Sequence, residues 1–420
     1  MFTLSLLRVP IGVAMGIVGV SGFAATTSFG AAISLLGTSP FSTASDPGLV
    51  VIPLFILMGA LASSSGLSAE IFRAAYSWLG HRRGGLAYAT LAACGGFAAI
   101  NGSSVATAVT MTKIALPQMR GYGYDASIGA GVLAAGGTLG IMIPPSVVFV
   151  IYGLMTDQDI GKLFIAGILP GLLAIALYAT TIAWLAWKHP ERLPAASPCA
   201  WFERWDSLRG LWATILLFTF VLGGMYWGFF TPTEAAAMGV VGALCIGVVR
   251  RKLLGVQIIA ALTDAVKVTA SIFTIVIGAY LFGYLLTTLG TTQAIVEYLT
   301  SLPVSRYVVL SLILAMYVIL GAVMDELAMI LLTVPIVYPA MMQLGFDPIW
   351  FGVVIAMTVT FGMICPPVGM NVFVVHASAP DIPIRSIYAG VMPFIAADVV
   401  RLALLILFPA ISLWLPSLMS

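Results

Sequence analysis

At residues 136–146 the chain reads Gly136-Gly137-Thr138-Leu139-Gly140-Ile141-Met142-Ile143-Pro144-Pro145-Ser146, inside an apolar segment that extends from residue 126 to residue 155. This stretch cannot form a regular helix, because each glycine weakens a helix by about 1 kcal/mol and each interior proline by about 3 kcal/mol. Backbone groups freed in this way persist in hydrocarbon only where protein or a water-filled cavity surrounds them. We therefore predict a helix that is broken at membrane depth, where its carbonyls and helix ends can hold an ion or a polar substrate.

The same pattern occurs a second time in the chain. A shift of 222 residues relates Pro117 to Pro339, Gly123 to Gly345, Asp125 to Asp347, Thr138 to Thr360, Gly140 to Gly362, and Pro144-Pro145 to Pro366-Pro367. A shift of 224 residues relates Gly59 to Gly283 and Gly66 to Gly290. Matching interrupted segments in two halves of a chain are typical of secondary transporters and point to the binding site. We expect two repeats, each with one broken helix.

The composition places the chain in the membrane. It is 61% hydrophobic and 8% charged, with a mean hydropathy of +1.09, whereas a soluble domain carries about 25% charged residues. We predict an all-α polytopic membrane protein in contact with lipid, without a soluble domain and without a nucleic-acid partner. The four cysteines are far apart and form no CxxC motif, so neither a disulfide framework nor a metal site follows from them. Motifs for ATP hydrolysis or intramembrane proteolysis are also absent from the sequence, so we do not expect an enzyme.

The topology follows from the apolar runs and the basic clusters. Clusters at residues 81–83, 188–209 and 250–252 are predicted to be cytoplasmic by the positive-inside bias. This bias gives a cytoplasmic N-terminus and a C-terminus on the opposite side. The remaining expectations are a first span at 4–36, a loop at 37–48, interfacial helices at 69–80 and 257–267, and a last span at 387–415.

Two polar tips interrupt apolar hairpins, one in each repeat. Residues 84–119 turn at Asn101-Gly102-Ser103-Ser104, and residues 306–341 turn at 321–326. The charges do not distinguish two full spans from a re-entrant hairpin that stops near the midplane, but oxygen-rich tips beside broken helices favour the re-entrant form. The two hairpins enter from opposite sides, which predicts an inverted repeat. The expected domains are N-terminal scaffold helices (1–83), the first repeat (84–155), scaffold and connecting helices (156–303), the second repeat (304–376) and a C-terminal helix (377–420).

The acidic pair Asp325 and Glu326 is the sharpest feature of the second tip. A carboxylate within the membrane is costly and is therefore functional by default. The shift of 222 residues relates Ser103 to Asp325 and Ser104 to Glu326, so polar oxygens occupy both tips. Asp325 can also cap the following helix, and both roles can hold together. In the last span, Asp398 and Arg401 are expected to pair.

Hard cations need oxygen ligands, and each tip with its adjoining broken helix can supply them from side chains and backbone carbonyls. The predicted cation ligands are Asn101, Gly102, Ser103, Thr107, Gly136, Thr138 and Gly140 in the first repeat, with Gly321, Asp325, Thr360, Gly362, Gly369 and Asn371 in the second. Helix N-termini at the breaks would present amide donors to an anion. The predicted substrate contacts are Ser103, Ser104, Pro145, Ser146, Asp325, Glu326, Pro367 and Asn371.

Several long motifs resemble the large membrane subunit of tripartite ATP-independent periplasmic (TRAP) transporters. They are Asn101-Gly102-Ser103-Ser104-Val105-Ala106-Thr107-Ala108, Ala115-Leu116-Pro117-Gln118-Met119, Gly123-Tyr124-Asp125, residues 134–146, Phe229-Phe230-Thr231-Pro232-Thr233-Glu234-Ala235-Ala236-Ala237 and Pro366-Pro367-Val368-Gly369-Met370-Asn371. The resemblance extends over essentially the whole chain.

This resemblance implies an elevator-type secondary transporter in the bacterial inner membrane, driven by a sodium gradient with two or more sodium sites at the hairpin tips and broken helices. It implies a small four-helix membrane subunit and a periplasmic binding protein as partners. It also implies organic acids as substrates, such as C4-dicarboxylates, other carboxylates and sialic acids. The C-terminus would then be periplasmic.

Two departures from the family pattern matter. The family often has Leu-Asp-Pro in the second hairpin, where this chain has Met324-Asp325-Glu326-Leu327, so the role of Glu326 is open. The chain also starts at the first large-subunit helix, so we expect a separate small subunit. The alternatives are a carboxylate carrier that needs no binding protein, an intramembrane enzyme that uses Asp325 and Glu326, and a passive channel.

Overall fold

The computed structural model describes residues 9–419, together with residues 4 and 7, as an all-α protein. Its helices from residue 11 onwards are labelled here in chain order. They are α1 Ile11–Thr26, α2 Phe29–Ala44, α3 Val51–Ser64, α4 Leu67–Leu79, α5 Gly85–Asn101, α6 Ser104–Gly121, α7 Ala126–Gly137, α8 Leu139–Met142, α9 Val147–Thr156, α10 Ile160–Lys188, α11 Trp201–Tyr226, α12 Pro232–Val249, α13 Gly255–Thr288, α14 Thr291–Ser301, α15 Arg306–Gly321, α16 Glu326–Gln343, α17 Pro348–Gly362, α18 Met370–Ser378, α19 Ile384–Leu407 and α20 Ala410–Leu413.

Helices of membrane-spanning length dominate the fold. Within the described residues, eight helical segments are long and apolar enough to cross a bilayer. They are Pro47–Ser64, Ala126–Thr156, Ile160–Lys188, Trp201–Tyr226, Pro232–Val249, Gly255–Thr288, Glu326–Gln343 and Ile384–Leu407. Together with the absence of strands in the same part of the chain, they confirm the predicted all-α polytopic membrane protein.

The internal repeat is visible in the elements themselves. The hairpin α5–α6 corresponds to α15–α16, the broken helix α7–α9 to α17–α18, and α10 to α19. The same local signals start equivalent helices, because the carboxylates of Asp125 and Asp347 accept hydrogen bonds from the first turns of α7 and α17. Gly66 and Gly290 both take the left-handed conformation before α4 and α14. Side-chain caps and left-handed glycines fix helix starts locally, which is why the shift found in the sequence holds in space.

Each hairpin tip lies against the break of its own repeat. A Cβ atom on Gly140 would collide with the carbonyl of Ser103, and one on Gly102 would collide with the carbonyl of Pro145. In the second repeat, a Cβ atom on Gly362 would lie 2.8 Å from the Cα of Gly321. Both helix breaks lie within their apolar segments rather than at the ends. The hairpin tips that contact these breaks therefore also stop part of the way across the membrane. This geometry favours the re-entrant form of the hairpins.

The two repeats are interlocked. The half-helix α9 of the first repeat packs on α16 of the second hairpin, and the half-helix α18 of the second repeat packs on α6 of the first hairpin. The C-terminal helix α19 packs on α7, α10 and α17. Around this body, α3 packs on α5 and α13 packs on α16.

Three expectations from the sequence were wrong in detail. The segment predicted as one span at 4–36 and a loop at 37–48 forms two helices, α1 and α2, because Ser28 accepts a hydrogen bond from Ala31 N and starts a new helix. The segment 257–267 belongs to the single helix α13, which at about 1.5 Å per residue exceeds the thickness of a bilayer core. The predicted last span stops at Leu407, because the next turn contains Pro409, which disfavours helix in the residue before it.

Candidate functional site

A cavity of about 460 Å³ lies between the two hairpin tips. Its walls come from both tips and from the helices α3 and α13, so here both repeats meet the surrounding helices. Its polar lining consists of Ser63, Ser64, Asn101, Ser103, Thr110, Asp264, Ser271, Asp325 and Glu326. This volume falls within the range of small-molecule sites.

The first tip is shaped by backbone geometry. Gly102 ends α5 with a φ of 63°, a left-handed conformation that glycine adopts without a steric penalty. Ser103 then caps α6 by accepting a hydrogen bond from Ala106 N at 3.4 Å. Thr107 Oγ1 donates to the Ser103 carbonyl at 2.7 Å. Asn101 lines the cavity and its Nδ2 atom is buried without a partner, so this tip holds an unused hydrogen-bond donor.

The second tip carries the acidic pair into the same cavity. Asp325 caps α16, because its Oδ1 atom accepts hydrogen bonds from Leu327 N at 3.0 Å and Ala328 N at 3.4 Å. Asp325 therefore caps α16 and also lines the cavity. Glu326 is only 8% exposed, and its Oε2 atom has no hydrogen-bond partner.

Asn371 joins the second break to the first repeat. Its Nδ2 atom donates to Ser104 Oγ at 2.7 Å and to the Ala134 carbonyl at 3.1 Å, and Ser104 Oγ donates to Asn371 Oδ1 at 3.0 Å. Both side chains are fully buried. The structure therefore places these two predicted substrate contacts behind the cavity wall, where they hold the repeats together.

The equivalent threonines of the two breaks, Thr138 and Thr360, do not line the cavity, and their hydroxyl groups form hydrogen bonds inside the protein. Each donates to the carbonyl three residues earlier, at 2.6 Å in both cases. Thr138 Oγ1 also lies 3.4 Å from the Tyr178 hydroxyl, and Thr360 Oγ1 accepts from Arg401 Nη2 at 3.1 Å. A hydroxyl that donates its proton keeps an acceptor lone pair, so the role of these two threonines as cation ligands stays a prediction.

A buried ion pair links these threonines. Arg401 Nη2 lies 2.9 Å from Asp398 Oδ1, and both side chains are inaccessible to solvent, as predicted from their spacing. The Tyr178 hydroxyl donates to the Asp398 carboxylate, 2.9 Å from both oxygens. The sequence analysis missed Tyr178, since one tyrosine in an apolar helix gives no signal of its partner 220 residues away.

The remaining predicted site residues do not line the cavity. Gly136 lies against the Cys94 side chain, and Gly321 lies against Gly362. The amide of Gly369 donates to the Ala322 carbonyl at 3.1 Å, and the Pro367 carbonyl accepts from the Tyr388 hydroxyl at 2.9 Å. Pro145 contributes its carbonyl next to Gly102, and Ser146 is buried beside it.

Several oxygens lie close to the contact between the first tip and its break. The carbonyls of Ser103 and Pro145 are held at the contact between tip and break, and Ser146 Oγ is buried without a partner. The described residues contain no group of three or more Asp, Glu, His or Cys side chains that could hold a metal ion. The oxygens named at the first tip are neutral carbonyl and hydroxyl groups.

Comparison with known proteins agrees with this architecture. The family described as "Tripartite ATP-independent periplasmic transporter, DctM component" matches residues 1–411. The C4-dicarboxylate TRAP transporter large permease protein DctM of Pseudomonas aeruginosa is 37% identical over 90% of this chain and 88% of its own length. The sialic acid TRAP transporter large permease protein SiaM of Vibrio cholerae is 34% identical over 88% of this chain and 86% of its own length.

A solved structure shares the fold. The YdaH transporter of Alcanivorax borkumensis superimposes with a TM-score of 0.65, covering 91% of this chain and 88% of that one, at 16% sequence identity. The relatives are permeases rather than enzymes, which confirms that the chain is not an enzyme. The chain belongs to the DctM-component family of the tripartite ATP-independent periplasmic transporters.

Proposed function

We propose that the chain imports an organic acid by sodium-coupled secondary transport. The observation that carries this proposal is the cavity bounded by both hairpin tips. It supplies oxygens for a hard cation, an unused amide donor at Asn101 and helix N-termini that favour an anion. An ion and an acid can therefore bind side by side, as coupled transport requires.

The names of the relatives support organic acids as the substrate class. They include permeases for C4-dicarboxylates, for sialic acid, for 2,3-diketo-L-gulonate in Escherichia coli and for isethionate in Oleidesulfovibrio alaskensis. All of these compounds carry an acid group, whereas their carbon skeletons differ. The shared requirement is therefore an acid group, and we assign the same requirement to this chain.

Sodium is the proposed coupling ion, with at least one site at each tip. In the first repeat the Ser103 and Pro145 carbonyls and Ser146 Oγ would hold it. In the second repeat the Asp325 carboxylate and neighbouring carbonyls would do so. Sodium would neutralise charge between the tips, which lets an acid group enter a cavity that already contains carboxylates.

An elevator movement suits the packing. The hairpins and broken helices form one interlocked body, because Asn371 of the second repeat bonds to Ser104 and Ala134 of the first. The helices α3 and α13 line the other side of the cavity. We propose that the interlocked body moves as a unit relative to these helices and carries the cavity across the membrane.

The proposed assembly is tripartite and lies in the bacterial inner membrane. A small four-helix membrane subunit and a periplasmic binding protein would complete it, and the binding protein would deliver the substrate. The basic clusters at 81–83, 188–209 and 250–252 favour a cytoplasmic N-terminus and a periplasmic C-terminus.

Uptake into proteoliposomes tests the proposal. The chain would be reconstituted with its small subunit, and uptake of the acid carried by its binding protein would be measured with and without an inward sodium gradient. We expect uptake only when the gradient and the binding protein are both present. Sodium-driven uptake without the binding protein would instead support an independent carrier, and flux that needs no gradient would contradict coupled transport.

A further inference from the structure

The cavity walls carry charge of one sign only. Three carboxylates line it, those of Asp264, Asp325 and Glu326, and its described lining contains no Lys, Arg or His side chain. Asp264 comes from α13, whereas the other two come from the second tip. With one sodium ion bound at Asp325, as proposed above, a ligand that carries only acid groups would still meet two uncompensated carboxylates.

Glu326 is the carboxylate that most needs a partner. The Asp325 carboxylate caps α16. The Glu326 carboxylate makes no hydrogen bond or ion pair with any described residue, and its Oε2 atom is buried. A buried charge without a compensating group is unfavourable. A bound ligand that brings a positive group to this wall would remove the penalty.

The wall formed by the first hairpin tip favours a negatively charged group. At the positions equivalent to the acidic pair, the first tip carries the neutral residues Ser103 and Ser104. Asn101 Nδ2 is a buried donor without an acceptor. Val105 and Ala106, in the first turn of the 18-residue helix α6, line the cavity, so a helix N-terminus adds positive potential there. An acid group fits this wall.

The arrangement around Glu326 suits an ammonium group better than a second metal ion. Among the described residues no three carboxylate, histidine or cysteine side chains form a metal site, so a metal ion at Glu326 would have to be held mainly by neutral oxygens. An ammonium group offers three donors and can satisfy a single carboxylate. The cavity therefore has an unused donor at one tip and an unused acceptor at the other.

We propose that the transported acid also carries a protonated amine, which Glu326 binds while the acid group lies against Asn101 and the N-terminus of α6. This inference rests on the transport function proposed above. It narrows the substrate class from organic acids in general to zwitterionic acids, such as amino carboxylates or amino sulfonates that fit about 460 Å³.

Matched pairs of small acids test the inference. The purified chain with its small subunit, in lipid nanodiscs and saturating sodium, is titrated with succinate and L-aspartate, butyrate and 4-aminobutyrate, and isethionate and taurine, and thermal stabilisation reports binding. In at least one pair we expect the amino member to bind about tenfold more tightly, because a hydrogen bond to a charged group supplies such a difference. Glu326→Gln should abolish that preference, and Glu326→Asp should retain part of it.

Glu297→Gln is the control, because Glu297 is an exposed carboxylate on α14, outside the cavity lining, and should leave the preference unchanged. The inference is overturned if no amino member binds, if the amine-free members bind better, or if the preference survives in Glu326→Gln. Sodium-driven uptake of an amine-free acid that is indifferent to Glu326→Gln would also overturn it, while leaving the transport function intact. Binding of an amino member without sodium-driven uptake would contradict the transport function alone.

Discussion

At the scale of single residues, the hydroxyl of Tyr178 has an unusual position. It donates to the buried Asp398 carboxylate, which pairs with Arg401, and Arg401 in turn contacts Thr360 of the second break. The Tyr178 hydroxyl also lies 3.4 Å from Thr138 Oγ1 of the first break. One side chain thus connects the equivalent threonines of the two repeats.

Replacing Tyr178 by phenylalanine should destabilise the protein by about 1–3 kcal/mol, because a buried carboxylate loses a hydrogen bond. The melting temperature in detergent measures the effect. Tyr152→Phe is the matched control, since Tyr152 is a buried tyrosine that donates to the neutral carbonyl of Pro348. We expect a smaller decrease there, and an equal or larger decrease for the control would contradict the special role of the Asp398 contact.

The sequence predicted the ion pair and the polar tips, but it did not predict which residues they contact in the other repeat. Spacing along one helix is enough to pair Asp398 with Arg401, and a helix start is enough to predict the cap at Asp325. Ser104 and Asn371 were predicted to contact substrate, yet they bond to each other across 267 residues. Such a contact depends on how the repeats pack, and no local pattern contains that information.

At the scale of elements, Glu70 joins α4 to the residues that follow α12. Its Oε1 atom accepts from Arg250 and from Lys252 Nζ, the latter at 2.7 Å. Burial raises the pKa of Glu70, but the hydrogen bonds and charges of Arg250 and Lys252 outweigh it, so the pKa lies below its usual value. The carboxylate therefore stabilises the fold in its charged form.

This contact gives a pH-dependent prediction. A lowered pKa means that the stabilisation is complete above the unfolded-state pKa of about 4.3 and is lost as the pH falls through the lower folded-state value. At pH 7 we expect Glu70→Gln to melt at a lower temperature than the unchanged protein, with the gap closing on acidification below about pH 4. Glu297→Gln should show no gap at either pH. If the difference in melting temperature between Glu70→Gln and the unchanged protein widens on acidification, the contact of Glu70 with Arg250 and Lys252 is not the cause of that difference.

Helix boundaries were predictable where a residue marks them. Glycine, proline and aspartate fixed the hairpins and breaks, and these elements recur at the predicted shift. The division between α1 and α2 was missed, because the apolar run continues past Ser28 to Leu36 in the first half of α2. The full length of α13 was missed because its polar residues at 257–267 were taken as a sign of a separate interfacial helix.

At the scale of the whole molecule, the repeats meet at a cavity lined by both hairpin tips. The sequence predicted that polar tips and broken helices belong together within each repeat. It could not show that Ser103 of one tip and Asp325 of the other line the same space, or that Asp264 of α13 faces them, because these positions are brought together only by the packing of the two repeats. This convergence is the basis of the proposed coupling.

The measurement that tests the coupling most directly is the sodium dependence of uptake in variants of the two tips. Ser146→Ala and Asp325→Asn, each reconstituted with the small subunit and supplied with the binding protein, should raise the sodium concentration needed for half-maximal uptake about tenfold or more, since the first removes a proposed hydroxyl ligand and the second removes a carboxylate charge next to a proposed ion. Glu297→Gln should leave it unchanged. An unchanged sodium requirement in Asp325→Asn would contradict the account, because the second tip would then take no part in holding the ion.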